Sequence, residues 1–237
     1  MPNAYFNFKQ FTVYHDKCAL KVCTDSCLFG AWAVAFTKEA YTILDIGSGS
    51  GLLSLILAQQ TNAEITGVEL DESSFLQAQV NVKQSPWPDK IKLVHGDCKN
   101  FFPTEKFDFI ICNPPFYEQM LSSEKNNEKQ AKHDATLLLS DLISIFNRLL
   151  SPKGKLAILF PYYRKVELLK AMSMNGYYLH AGVDIRPAPQ KDNFRFAGIF
   201  GHAESVMPSE IAISIKDELQ HYTPEFKALL KDYYLYL

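Results

Sequence analysis

The glycine-rich heptapeptide Asp45-Ile46-Gly47-Ser48-Gly49-Ser50-Gly51 follows a short apolar, strand-like run and leads into an apolar, helix-like one. Three alternating glycines let the backbone leave a strand sharply and approach a ligand where a Cβ would collide. A strand, a tight glycine turn and a helix in this order form the opening unit of a parallel sheet, and the rest of the chain repeats the pattern. Strands are predicted at 42–46, 64–70, 91–95, 107–112, 155–161, 177–186 and 193–201, and helices near 52–60, 73–84, 137–150 and 164–174. In the third helix Leu138, Leu142, Ile145, Phe146 and Leu149 share one face. The expected fold is therefore α/β: a seven-stranded, mostly parallel sheet with helices on both faces. The turn-rich Pro187-Ala188-Pro189-Gln190-Lys191-Asp192 joins the last two strands as a hairpin, which makes that end of the sheet antiparallel. Thr223-Pro224-Glu225 reads as an N-cap, a helix-first proline and a first-turn acid, opening a C-terminal helix over 226–237.

With 237 residues, the chain fits one domain of 41–237 preceded by an extension of 1–40. No run of 18 apolar residues is present, and the first residues lack a basic start followed by an apolar stretch, so a cytoplasmic location is expected. The five cysteines are an odd set, unsuited to a disulfide framework. His15, Cys18, Cys23 and Cys27 lack the tight Cys-x-x-Cys pair of structural zinc sites, so no metal is expected and buried free thiols are the better reading. The net charge is −2, yet residues 152–202 contain eight bases and three acids, a local +5. Such asymmetry permits a basic face on an acidic protein.

A second motif, Asn113-Pro114-Pro115-Phe116, closes the fourth predicted strand. Prolines after a strand hold the backbone extended and leave its carbonyls without competing N–H groups. An amide oxygen at Asn113 and the Pro114 carbonyl could each accept one hydrogen of a substrate amino group, while Phe116 stacks on a planar substrate. Between the two motifs, Glu69 ends the second strand where an acid reaches ribose hydroxyls. Asp97, in Gly96-Asp97 after the third strand, can accept from an adenine amino group. The spacing Gly47-Ser48-Gly49-Ser50-Gly51 departs from the dinucleotide fingerprint, and Asp45 suits a cationic ligand better than a pyrophosphate. Gly47, Gly49, Gly51, Asp45, Glu69, Asp97 and Asn113 thus form the candidate S-adenosylmethionine site. The polar segment 117–135, directly behind the second motif, suits a substrate-covering loop.

The chain resembles the class I, Rossmann-like methyltransferases with an Asn-Pro-Pro-Phe/Tyr catalytic loop. More narrowly, it is similar to the bacterial tRNA1(Val) adenine-37 N6-methyltransferases. The resemblance runs through Lys21-Val22-Cys23-Thr24-Asp25, Val68-Glu69-Leu70-Asp71, Gln84-Ser85-Pro86-Trp87, Asn113–Phe116 and the tail Tyr233-Tyr234-Leu235-Tyr236-Leu237. It implies S-adenosylmethionine as cofactor, a tRNA anticodon loop as partner, and an extension of 1–40 that packs over the cofactor site, with Thr24 and its neighbours near the methionine end. It also leaves glutamine N5-methylation of a protein, guanine N2-methylation of rRNA and a non-catalytic RNA-recognition module as alternatives. Only about forty residues precede the first strand, too few for the helical domain that the glutamine methyltransferases resemble one another in carrying. Arg186, Lys191 and Arg195, around the predicted hairpin, are the candidate phosphate contacts to tRNA.

Overall fold

The computed structural model describes residues 3–114, 138–204 and 207–237. The chain opens with strands β1 (Tyr5–Asn7) and β2 (Thr12–Tyr14) and helix α1 (Thr24–Ala33). Alternating units follow: β3 (Thr42–Ile46), α2 (Leu52–Ala58), β4 (Glu64–Glu69), α3 (Glu72–Lys83), β5 (Ile91–His95) and β6 (Phe107–Cys112). Beyond 137 come α4 (Leu139–Leu149), β7 (Leu150–Pro161), α5 (Lys165–Met174), β8 (Tyr178–Arg186), β9 (Arg195–Gly201), β10 (Ser209–Ser214) and α6 (Pro224–Leu230).

The large sheet has the order β10-β8-β9-β7-β6-β3-β4-β5, with β3, β4, β5, β6 and β7 parallel. β9 runs antiparallel between β7 and β8, as the hairpin reading required. The sheet holds eight strands, not seven. β10 adds to β8 in parallel, so the hairpin is not the edge. Ile211 and Ile213 alternate with Glu210, Ala212 and Ser214, a short strand pattern that the expected seven left out, and only Ile213 of β10 is buried.

Period-two alternation sends successive residues of the central strands into two cores. Ile43, Phe109 and Ile111 join α1, α2, α3 and α6 on one face, whereas Leu44, Ile46, Ile110 and Cys112 join α4 and α5 on the other. α4 buries Leu142, Ile145, Phe146 and Leu149 as its spacing predicts, although Leu138 is its N-cap and largely exposed. α1 buries every residue from Asp25 to Ala33, packing against α2 and α6. An apolar surface all round leaves no helical period, which is why this helix does not show in the sequence pattern.

Thr223 Oγ1 accepts from the Phe226 amide at 3.3 Å and Pro224 starts α6, but the helix stops at Leu230 rather than reaching the C-terminus. Tyr233 and Tyr234 continue as buried turn residues, and Tyr234 meets the rings of Phe6, Phe8 and Phe226. A β-bridge pairs Phe8 with Tyr234, so the two ends of the chain lie against each other. Among the described residues no helix is long and apolar enough to cross a membrane.

Candidate active site

The parallel strands β3, β4, β5 and β6 end on one edge, where a cavity of about 380 Å³ opens. Gly47, Gly49, Glu69, Asp97 and Asn113 line it, each supplied by the turn after a different strand or by the glycine loop. Its volume falls within the roughly 300–1,000 Å³ of small-molecule and cofactor sites. Gly47 and Gly49 have φ of +68° and +55°, a left-handed backbone that other residues adopt only under strain. A Cβ at either would meet nothing closer than 4.0 Å, so the loop presents bare backbone to open space. The amides of Gly47 and Ser48 both donate to the Val68 carbonyl, at 2.9 and 3.2 Å, which ties this loop to β4. Gly51, at φ +81°, caps α2.

Glu69 binds the loop to the next turn. One carboxylate oxygen accepts from the Gly49 amide at 2.7 Å and the other from the Asp71 amide at 2.8 Å. A carboxylate has about four acceptor positions, so both oxygens keep capacity for a ligand hydroxyl. Asp97 is fixed at its own turn by accepting from the Lys99 amide at 2.8 Å. Asn113 is held from the far side: its side-chain nitrogen donates to Ser26 Oγ of α1 at 2.8 Å. Pro114 is buried beside it. Pro115, Phe116 and the segment 117–135 lie outside the described residues.

Three predicted cofactor residues do not line this cavity: Gly51, which caps α2, and Asp45 and Thr24. Asp45 is fully buried beneath the loop rather than on the cavity wall, and accepts from the amide and hydroxyl of Ser54 at 3.1 and 2.7 Å. Thr24 lines a second cavity, of about 340 Å³, together with Lys191, Lys216 and Tyr222. Of the segment before β3, the residues on the wall of the first cavity are Cys18, Ala19 and Leu20, directly ahead of Lys21-Val22-Cys23-Thr24-Asp25. Lys191 is exposed, Arg186 is tied to Ser214 Oγ of β10 at 2.8 Å, and Arg195 is paired with Asp25 at 3.0 Å. Both arginines sit at the strand edge that carries the first cavity, because Arg195 is opposite Pro161 and Ile185, and Arg186 opposite Ser214.

Burial pushes the Asp45 carboxyl from its ordinary 3.8 up to about 7; the Ser54 bonds oppose the rise and the nearby Glu69 charge adds to it. The folded value exceeds the unfolded one, so the folded state keeps a proton that the unfolded chain has released. The stability contributed is complete below the unfolded value and is lost as pH rises through the folded one. Wild-type melting temperature is therefore expected to fall, relative to Asp45→Asn, as pH rises from about 4 to about 7, and to level off above that. Parallel melting curves for the two proteins would show Asp45 to be an ordinary carboxylate.

The strand order β5-β4-β3-β6-β7-β9-β8, with a glycine loop after its first strand, defines a class I methyltransferase domain. Residues 32–172 match the methyltransferase small domain family. A protein of Agrobacterium tumefaciens described as a predicted O-methyltransferase shares the fold, with a TM-score of 0.66 at 18% identity, covering 87% of this chain and 95% of that one. The glycopeptide N-methyltransferase MtfA, in complex with S-adenosylmethionine, superposes with a TM-score of 0.55 at 11% identity over 75% of this chain and 94% of that one. Sequence relatives are nearer. The tRNA1(Val) (adenine(37)-N6)-methyltransferase of Dyadobacter fermentans is 41% identical over 98% of both chains. Those of Parabacteroides distasonis, 34% identical over 99% of both, and Shewanella loihica, 37% identical over 98% of this chain and 99% of its own, match as fully. The chain belongs to the tRNA1(Val) (adenine(37)-N6)-methyltransferase family.

Proposed function

We propose that this protein methylates N6 of adenosine 37 in the anticodon loop of a valine tRNA, with S-adenosylmethionine as methyl donor, in the cytoplasm. The observation that carries the reading is the position of Asn113: it shares one cavity with Glu69 and Asp97. A nitrogen-activating group and the two acids suited to a nucleoside thus face the same space. The site fits the cofactor on several counts. Gly47 and Gly49 leave a cradle that a Cβ would fill, and the carboxylate of Glu69 stands at the end of β4 for ribose hydroxyls. Residues 18–20 support the reading of the segment before β3 as a cover over this site.

S-adenosylmethionine supplies, when bound, a methyl group on a sulfonium. The chain's own part is to make the substrate nitrogen able to take it. An adenine amino group is a poor nucleophile because its lone pair is delocalised into the ring. Acceptance of its two hydrogens by Asn113 Oδ1 and the Pro114 carbonyl draws the nitrogen toward tetrahedral geometry and frees the lone pair. No strong general base is needed, since a protonated product amine is acidic. Reaching adenosine 37 requires the base to leave its stack in the loop, an outlay that contacts in the pocket offset.

Transfer of labelled methyl groups from the cofactor tests the function. Incorporation into valine tRNA transcripts carrying adenosine 37, lost when that position is guanosine, is the expected result. Incorporation into release factor or rRNA instead would replace this reading. The tRNA body is expected to cross the strand edge near the second cavity, where Lys191 and Lys216 stand on its wall. Because Arg195 is paired with Asp25, these lysines are the better phosphate contacts. Replacing both with alanine should lower the slope of log affinity against log salt by roughly one unit per contact, with cofactor affinity unchanged. An unaltered slope would move the tRNA grip to another face.

A further inference from the structure

Three polar contacts join Asn113 to the β8–β9 hairpin through the first turn of α1. Asn113 Nδ2 donates to Ser26 Oγ at 2.8 Å, the Ser26 amide donates to Asp25 Oδ1 at 3.0 Å, and Arg195 Nε donates to Asp25 Oδ2 at 3.0 Å. Cys23 Sγ lies 2.9 Å from Ser26 Oγ and completes the hydroxyl's surroundings. Asp25 and Ser26 are 8% and 4% exposed, so this chain of contacts is shielded from water at its centre. Taking the Asp25 carboxylate out of water is costly unless a cation meets it, and removing one partner of such a pair leaves an uncompensated buried charge.

A primary amide has a nearly symmetric outline, and rotation by half a turn exchanges oxygen and nitrogen with little change in packing. The proposed chemistry tolerates only one of the two orientations, with the oxygen toward the substrate amino group. Packing cannot choose between them, and a hydroxyl can meet either atom unless its own proton is engaged; Cys23 Sγ, 2.9 Å from Ser26 Oγ, is placed to take that proton and leave Ser26 Oγ as an acceptor. Ser26 takes the nitrogen, which places the oxygen on the other branch of the same plane. Ser26 stands where it does because Asp25 accepts its amide, and Asp25 is held by Arg195 from a strand of distant sequence.

We propose that Arg195, Asp25 and Ser26 are positioning residues: they fix which way the Asn113 amide faces, and Arg195 serves this end rather than binding tRNA phosphate. The inference rests on the methyltransferase reading, and transfer by the wild-type enzyme is the control that tests that reading separately. Turnover at saturating tRNA and cofactor is compared for Ser26→Ala, Arg195→Met and the double variant, alongside cofactor affinity and tRNA KM. Each single change is expected to lower kcat by about tenfold or more, the scale of losing an oriented contact, while cofactor affinity holds. The double variant is expected to be no more than about twofold worse than Ser26→Ala, because both changes release the same amide. Arg195→Lys, which can still reach Asp25, should recover most of the loss. Should Arg195→Met fail to fold, Asp25→Asn/Arg195→Met removes both charges together and should give the same non-additive loss with Ser26→Ala. Single effects that multiply, or a raised tRNA KM with a lower salt slope and unchanged kcat in Arg195→Met, would overturn the proposal.

Discussion

Alanine at position 113 is expected to remove methyl transfer to tRNA, by at least about a hundredfold in kcat, while leaving cofactor affinity within about twofold. Asn113 sits at the end of β6 on the wall of the first cavity, with its nitrogen engaged by Ser26. Its oxygen is the atom asked to accept an amino hydrogen, a contact that strengthens only as the nitrogen loses conjugation. An interaction of that kind appears in kcat rather than in ground-state binding. Asn113→Asp should be impaired as well, since a carboxylate has no hydrogen to offer Ser26. Single-turnover rates with a valine tRNA transcript, together with calorimetric titration of the cofactor, decide the matter. A variant that turns over at near the wild-type rate would take Asn113 out of the mechanism.

Glu69→Ala is expected to weaken S-adenosylmethionine binding by about 1.5–3 kcal/mol, the usual scale for hydrogen bonds to a charged group. The structure adds a reason for the upper end of that range. Glu69 also holds the Gly49 amide at 2.7 Å and the Asp71 amide at 2.8 Å, so its removal frees the glycine loop and the turn after β4 together. Glu69→Gln keeps an acceptor for one of these amides and should fall between wild type and alanine. Binding that is unchanged in both variants would reduce Glu69 to a brace without a role toward the ligand.

What the sequence disclosed about this site is what lies close together in the chain. The glycine loop, Glu69, Asp97 and Asn113 each stand at or just beyond the end of a β-rich run, and parallel order alone brings those ends to one edge. Groups that meet across the fold were invisible. Ser26 sits 87 residues from Asn113, on a helix with no amphipathic period, and nothing in either local pattern announces the contact. Arg195 shows a partner hidden in the same way. Its charge and its place beside a hairpin suggested a phosphate contact, but local charge does not disclose that Asp25, 170 residues away, already holds it. β10 was legible in principle, since Ile211 and Ile213 alternate with Glu210, Ala212 and Ser214, but so short a run of two large apolar residues at a sheet edge gives a faint signal.

The clasp between the two ends of the chain gives the molecule a definite order of completion. Phe8 pairs with Tyr234, the Lys9 amide donates to the Tyr233 carbonyl at 2.8 Å, and Tyr233 Oη reaches the Ile56 carbonyl at 3.3 Å. Residues 18–20, on the wall of the first cavity, lie further along the same N-terminal segment. Contacts so distant in sequence form late, because closing a long loop costs chain entropy before it gains any packing. During synthesis the glycine loop and its strands emerge well before the tyrosines that secure the segment above them. Residues 18–20 emerge even earlier, but the segment that holds them can be fastened only once Tyr233 and Tyr234 have appeared, so closure of that side of the cavity is expected among the last steps of folding.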